Sequence, residues 1–229
     1  MRLVVYGAGG GTGRRLARQA LDAGHDVAAV TRRPRKFPIE HPRLDVIGGD
    51  VRDPGAVAAT VDGADAVLST LGTTFSRKPI TLYSTGITNI IAAMRLHGVT
   101  RVVAVTSSAA EPHRHADGGL LLNHVIQPLV TRTIGKSTYT DMRAMESRLV
   151  MSGLDWTVLR PSGLFDTDTV SDYSLREEVT DGIFTSRADL AACLLAQATD
   201  TAWIRKRVGV WTTVGTPSMW QMLRGSTQG

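Results

Sequence analysis

The sequence predicts an α/β protein: a doubly wound, mostly parallel sheet with helices on both faces and a small C-terminal substrate lobe. Three observations lead there. Short apolar, β-branched runs alternate with helix-period segments along the chain, which is the rhythm of right-handed βαβ units. The first of these runs ends in a glycine-rich turn that opens directly into the first helical pattern. The 229 residues are 42% hydrophobic and 21% charged, close to the globular norm and enough to bury a sizeable core.

The elements follow in order. Leu3 to Tyr6 reads as a buried parallel strand. Arg14 to Ala23 reads as a helix with Leu16, Ala17, Ala20 and Leu21 on one face, stopped by Gly24. Asp26–Val30 and Leu44–Gly48 are the next strands. Pro54 introduces a helix through Val61, because its fixed φ and missing N–H suit a first helical position. Ala64 to Ser69 is a strand, Leu82 to His97 a helix ended by Gly98, and Arg101 to Thr106 a strand rich in valine. Tyr139 to Met151 is a helix, and Trp156 to Leu159 a strand stopped by Arg160-Pro161. Arg187 to Ala198 is a helix and Arg207 to Thr212 the last strand.

We expect a single dinucleotide-binding domain over residues 1–229, since no linker or repeat divides the chain. The irregular stretches 111–136 and 161–186 each follow the carboxyl end of a strand. Ligands bind at that edge of an open parallel sheet, so these loops are expected to form the substrate lobe. Leu120 to Ile134 looks helical and apolar, either packing on the sheet edge or covering a pocket. Phe165, Tyr173 and Phe184 are candidate pocket walls, and Asp166, Asp168 and Asp172 read as a solvated run.

Several classes fall away. The single cysteine, Cys193, excludes a disulfide framework and reads as a core residue. No apolar window approaches the roughly 18 residues of a membrane span, and no signal-peptide cleavage pattern follows the N-terminal run, so a cytoplasmic protein is expected. Glu111, His113, His115 and His124 have the residue types of a metal site but no metal-binding motif, and none is expected. No G-x-S-x-G occurs, and Gly13 is followed by Arg14, so neither an α/β-hydrolase nor a P-loop is read.

The glycine loop is the strongest functional signal. Gly7-Ala8-Gly9-Gly10-Gly11-Thr12-Gly13 joins the first strand to the first helix. Such a loop turns tightly, lets a pyrophosphate approach the backbone and sets it on the helix N-terminus. An acid that would bind a ribose hydroxyl is expected at the end of the second strand. Thr31-Arg32-Arg33-Pro34-Arg35-Lys36 stands there instead. Guanidinium groups pair bidentately with phosphate, so the cofactor is expected to be NADP, its 2′-phosphate held by Arg32 first and Arg33 second. The net charge is +5, and those four cations account for most of it. The basic balance therefore reads as a local phosphate site rather than a nucleic-acid surface. Asp50 can accept from the adenine amino group while Val51 packs on the ring, or can serve a turn. Thr70, Leu71 and Gly72 end the fourth strand and leave room for the nicotinamide ribose.

Together with Val103 to Ser108, Ser152 to Pro161 and Ser186 to Ala191, these residues resemble the atypical short-chain dehydrogenase/reductase family. The resemblance is to its NAD(P)H-binding, NmrA-like branch, which includes biliverdin reductase B-like flavin reductases. It implies a Rossmann-like fold and a nicotinamide cofactor. Better-known relatives use a Ser, a Tyr and a Lys four residues after the Tyr. Carried onto this chain, the positions are Ser107 or Ser108, Tyr139 and Arg143, with arginine in place of lysine. A cation at Arg143 would lower the Tyr139 pKa but could not relay a proton. Glu146 lies near the same helix face and reads as an exposed carboxylate.

The expectation is an NADPH-dependent oxidoreductase that passes a hydride to a small or polycyclic acceptor: a ketone, quinone, imine or flavin. The alternative is a non-catalytic NADP(H)-binding redox sensor. The expected partner is a small molecule, with neither nucleic acid nor membrane, and the protein is expected as a monomer or homodimer.

Overall fold

A computed structural model of the protein describes residues 1–76, 78–111, 133 and 135–217. Its main sheet has the order β3-β2-β1-β4-β5-β6-β10-β8. The strands are β1 (Arg2–Tyr6), β2 (Asp26–Thr31), β3 (Leu44–Gly48), β4 (Ala66–Ser69), β5 (Arg101–Val105), β6 (Asp155–Pro161), β8 (Tyr173–Glu177) and β10 (Lys206–Thr212). All neighbours pair parallel except β8, which runs antiparallel to β10. Chain order reverses at β1, between β2 and β4. The carboxyl ends of the central strands stand level there: Tyr6 pairs with Val30 on one side and Ser69 on the other. That crevice is the natural ligand position in a sheet of this kind.

The helices are α1 (Gly11–Asp22), α2 (Pro54–Val61), α3 (Leu82–Leu96), α4 (Lys136–Val150) and α5 (Arg187–Ala196). The period-two alternation of β1 shows how they divide. Val4 and Tyr6 face a core shared with Val57, Ile87, Ile90, Met145 and Leu149, from α2, α3 and α4. Leu3 and Val5 face the opposite core, with Leu16, Ala20, Leu190 and Leu194 from α1 and α5. Cys193 is buried in this second core. No described helix is long and apolar enough to cross a membrane.

The helix starts differ in a way that bears on function. Asp53 caps α2 through Gly55 and Ala56 N–H, and Ser186 caps α5 through Ala188 and Asp189 N–H. The amides at the start of α3 are satisfied from α4, where Asp141 accepts from Tyr83 and Ser84. The first turn of α1 has no side-chain cap and no acid.

Within the described residues the expected strands and helices are present within a few residues of their predicted bounds. The stretch 161–186, expected as irregular, contains three strands. β7 (Gly163–Phe165) pairs with β9 (Phe184–Ser186) as a parallel ribbon, and β8 extends the main sheet. Such short strands carry little local signal and are held by distant partners, such as Ser162 N–H on Thr185 Oγ1 at 2.9 Å. The predicted helix over Leu120 to Ile134, the histidines His113, His115 and His124, and most of loop 111–136 lie outside the described residues.

Candidate functional site

A cleft of about 1270 Å³ runs along the carboxyl ends of the central strands. One end is lined by Gly7, Gly9, Gly10, Gly11, Thr12, Arg32, Arg33, Asp50 and Val51. Thr70, Leu71 and Gly72 line its middle. Ser107, Tyr139, Met142, Phe75, Ser162 and Leu164 line the other end. Most of the expected site residues therefore share one cavity; Gly13, Ser108 and Arg143 are not on its wall.

The glycine loop has the form a phosphate cradle needs. Gly7 takes φ +77°, a conformation that disfavours any side chain, and a Cβ there would strike the Thr70 carbonyl. Gly13 faces inward. A Cβ on it would overlap the Gly7 carbonyl and the Ala8 backbone, so this glycine lets α1 pack against the loop. Gly10 is different, since its Cβ would meet only the Gly7 oxygen, at 3.3 Å. The space in front of Gly10 is open, and the uncapped amides of α1 lie behind it. These features fit a bound diphosphate.

At the end of the cleft where the sequence leads us to expect the adenosine, Arg32 and Arg33 are exposed and form no ion pair among the described residues. Asp50 is held by a neighbour that sequence reasoning passed over. Arg52 Nε and Nη2 donate to its carboxylate at 3.0 and 2.6 Å, and the Arg52 amide caps Oδ1 in a turn. Those hydrogen bonds, with the more distant pull of Arg32, lower the Asp50 pKa to about 2. The acid is a fixed anion, and the turn role expected for it is present.

At the opposite end, Ser107 lies on the cleft wall, its Oγ accepting from Ala109 N–H at 3.2 Å. Ser108 starts a short 3₁₀ turn and is buried away from the cleft. Tyr139 is buried against Phe75, ring centroids 5.8 Å apart. Arg143 turns elsewhere: its Nη1 donates to the Ala110 carbonyl at 2.7 Å and its Nη2 to Thr140 Oγ1 at 3.0 Å. The expected lowering of the Tyr139 pKa is therefore not found. Among the described residues burial alone acts on the phenol, and it pushes the pKa up.

One further expectation is corrected. Glu146 is not exposed. It is enclosed between α4 and β6, accepting from Thr106 Oγ1, from Arg160 Nε and Nη2, and from Arg207 Nε. Burial acts most strongly, against the Arg160 charge, but the hydrogen bonds to Glu146 together with the negative charges of Glu146, Glu111 and Glu178 more than offset it and raise the guanidinium pKa. Asp166, Asp168 and Asp172 are exposed, as expected of a solvated run, and Asp166 also bridges Arg15 and Arg187 at the surface. Arg187 itself lines the cleft beside the glycine loop. Its position became visible only once the fold brought α5 against α1.

Residues 7–201 match the NAD(P)H-binding family. The chain belongs to that family. A 3 beta-hydroxysteroid dehydrogenase/Delta 5-->4-isomerase from Mycobacterium tuberculosis is 27% identical over 72% of this chain and 47% of its own length. A 2-alkyl-3-oxoalkanoate reductase from Stenotrophomonas maltophilia is 35% identical over 50% of this chain and 35% of its own. The chain thus spans less than half the length of these two relatives. Among solved structures, a short-chain dehydrogenase/reductase from Veillonella parvula in complex with NADP superposes with a TM-score of 0.76. It is 21% identical, over 95% of this chain and 99% of that one. ChuY, an anaerobilin reductase from Escherichia coli O157:H7, gives 0.72 at 24% identity, over 95% and 100%. These likenesses establish a Rossmann-like fold for this NAD(P)H-binding protein, as the sequence resemblance implied.

Proposed function

We propose that this protein is an NADPH-dependent reductase whose acceptor takes its proton from water, which favours a flavin, a quinone or a comparable conjugated molecule over a simple ketone. The observation that carries the reading is the orientation of Arg143. Its guanidinium is committed to Ala110 and Thr140, and Tyr139 stands buried with a raised pKa. Among the described residues no cation acts on the phenol to favour its anion, and arginine in place of lysine at position 143 cannot relay a proton to it. Acceptors that hold a delocalised anion do not need such a donor.

The remaining residues take roles that follow from their places. The Gly9 to Thr12 backbone holds the diphosphate, and Arg32 and then Arg33 pair with the 2′-phosphate. Val51 packs beside the adenine, Asp50 accepts from its amino group, and Thr70 to Gly72 border the nicotinamide ribose. When bound, NADPH supplies the hydride. Ser107 hydrogen-bonds the acceptor oxygen, while Phe75, Tyr139, Met142 and Leu164 exclude water from its ring system. Of the β7 and β9 ribbon only Gly163 and Leu164 reach the cleft; Phe165, Tyr173 and Phe184, expected as pocket walls, do not line it, and Phe165 and Phe184 instead pack edge to face at 6.3 Å. One of the structural neighbours is itself a reductase, of anaerobilin.

The test is NADPH oxidation against a panel of flavins, quinones and ketones. Turnover with flavins or quinones and little with ketones is expected. The same orientation of Arg143 also suits a second reading, a redox sensor that binds NADP(H) without turnover. Tight NADP binding with no turnover on any acceptor would favour the sensor.

A further inference from the structure

We propose that Arg187 is a gripping residue for the cofactor diphosphate, and that Asp166 is the counter-ion that holds its guanidinium in place until the diphosphate arrives. The inference rests on the dinucleotide reading above and adds a residue outside the glycine loop and the Arg32 cluster. Arg187 begins α5, at the far end of the chain from Gly11. Yet a Cβ placed on Gly11 would lie 2.9 Å from Arg187 Cδ and 3.2 Å from its Nε. The side chain therefore lies across the glycine loop at backbone distance and lines the cleft there. This contact also accounts for a glycine at position 11, where any side chain would displace the arginine.

The charges around it are unbalanced. Arg187 Nη1 and Arg15 Nη2 each reach the Asp166 carboxylate, both at 3.1 Å. Two guanidinium groups thus share one carboxylate at the uncapped start of α1. Asp166 is 63% exposed, so its hold on Arg187 is that of a surface ion pair, weak and screened. A diphosphate on the loop offers more charge at the same point and suits the planar fork of a guanidinium. Arg15 is tied by its Nη1 to the Gly11 carbonyl at 3.1 Å and by its Nε to the Thr167 carbonyl. It can keep Asp166 when Arg187 lets go.

The experiment is calorimetric titration of NADPH, NADH and adenosine 2′-monophosphate into the wild type, Arg187→Met, Arg187→Lys and Asp166→Asn, with thermal melts as a fold control. Arg187→Met is expected to weaken both dinucleotides by about tenfold, the worth of one charge-assisted hydrogen bond. It should leave the monophosphate, which has no diphosphate, unchanged. Arg187→Lys should recover part of the loss. Asp166→Asn should bind both dinucleotides at least as tightly as the wild type, since it frees the guanidinium. Dinucleotide affinity of Arg187→Met within about twofold of wild type would overturn the inference. So would an equal loss for the monophosphate, or an Asp166→Asn variant as weak as Arg187→Met, because either marks a purely structural ion pair. A wild type that binds neither dinucleotide would instead overturn the cofactor reading, and this inference with it.

Discussion

Glu146 Oε2 lies 2.6 Å from Arg160 Nη2, and the two side chains are 3% and 2% exposed. The pair joins α4 to β6 directly behind Thr106, whose hydroxyl also donates to Glu146. It fixes the strand end from which Ser107 enters the cleft. Taking charges out of water is costly, so such a pair specifies geometry more than it adds stability. Breaking it is another matter. Glu146→Leu would leave the Arg160 charge buried, with only the more exposed Glu111 and Glu178 as partners. We expect a loss of about 3 kcal/mol in urea unfolding. Glu146→Gln, which keeps an acceptor, should lose less.

Arg32→Ala is expected to weaken NADPH binding at least about tenfold more than NADH binding, because only NADPH carries the 2′-phosphate. Arg33→Ala should show the same preference to a smaller degree. Parallel titrations of the two cofactors at fixed salt give the ratio directly. Equal losses for both would contradict the assignment.

Gly10 and Gly13 separate ligand room from fold room. A side chain at Gly13 meets the backbone of Gly7 and Ala8, whereas one at Gly10 meets little protein. Gly13→Ala should therefore lower the melting temperature. Gly10→Val should keep it near wild type and abolish dinucleotide binding. Retained NADPH affinity in Gly10→Val would mean that the diphosphate does not lie on this loop.

Much of this site was legible because its signals are local. The glycine loop, the arginines after β2 and the valines of β5 are contiguous in sequence, and βαβ alternation then dictates which strand ends meet. What stayed hidden depends on distant pairing. Glu146 shares a helix face with Tyr139, and nothing in its neighbourhood announces that Arg160 arrives from another element to neutralise it. Arg143 follows Tyr139 at helical spacing, but the Ala110 carbonyl, supplied by the turn after β5, draws the guanidinium away. β7 and β9 are three residues each, too short for a periodic pattern, and exist by pairing with one another. Arg187 reaches Gly11 only because α5 packs on α1.

Tyr139→Phe is a direct test of how the acceptor is protonated. With water as the proton source, quinone or flavin turnover should change by less than about threefold, far below the 10²-fold or more expected on losing a general acid. The pH profile of the wild type should also show no rise near neutrality from a tyrosinate, since burial raises the phenol pKa. A loss of about 100-fold with every acceptor would reassign Tyr139 as the proton donor.

Buried tyrosines also set the alkaline limit of the fold. Burial raises Tyr6 to about 12, against a hydrogen bond with Thr60 that acts the other way. Burial likewise raises Tyr83 to about 12. In the unfolded chain both phenols release their protons near 10. Between pH 10 and 12 the folded state thus holds protons that the unfolded state has lost. Stability falls as pH rises wherever the native state binds more protons. The contribution of these tyrosines is therefore whole below pH 10 and is lost on the way to 12. Urea unfolding followed from pH 9 to 11.5 should show midpoints dropping over the alkaline part of that range. Tyr83→Phe, which removes one of the two groups, should flatten the drop even if it lowers the midpoint at neutral pH. An unchanged slope in that variant would place the alkaline sensitivity elsewhere.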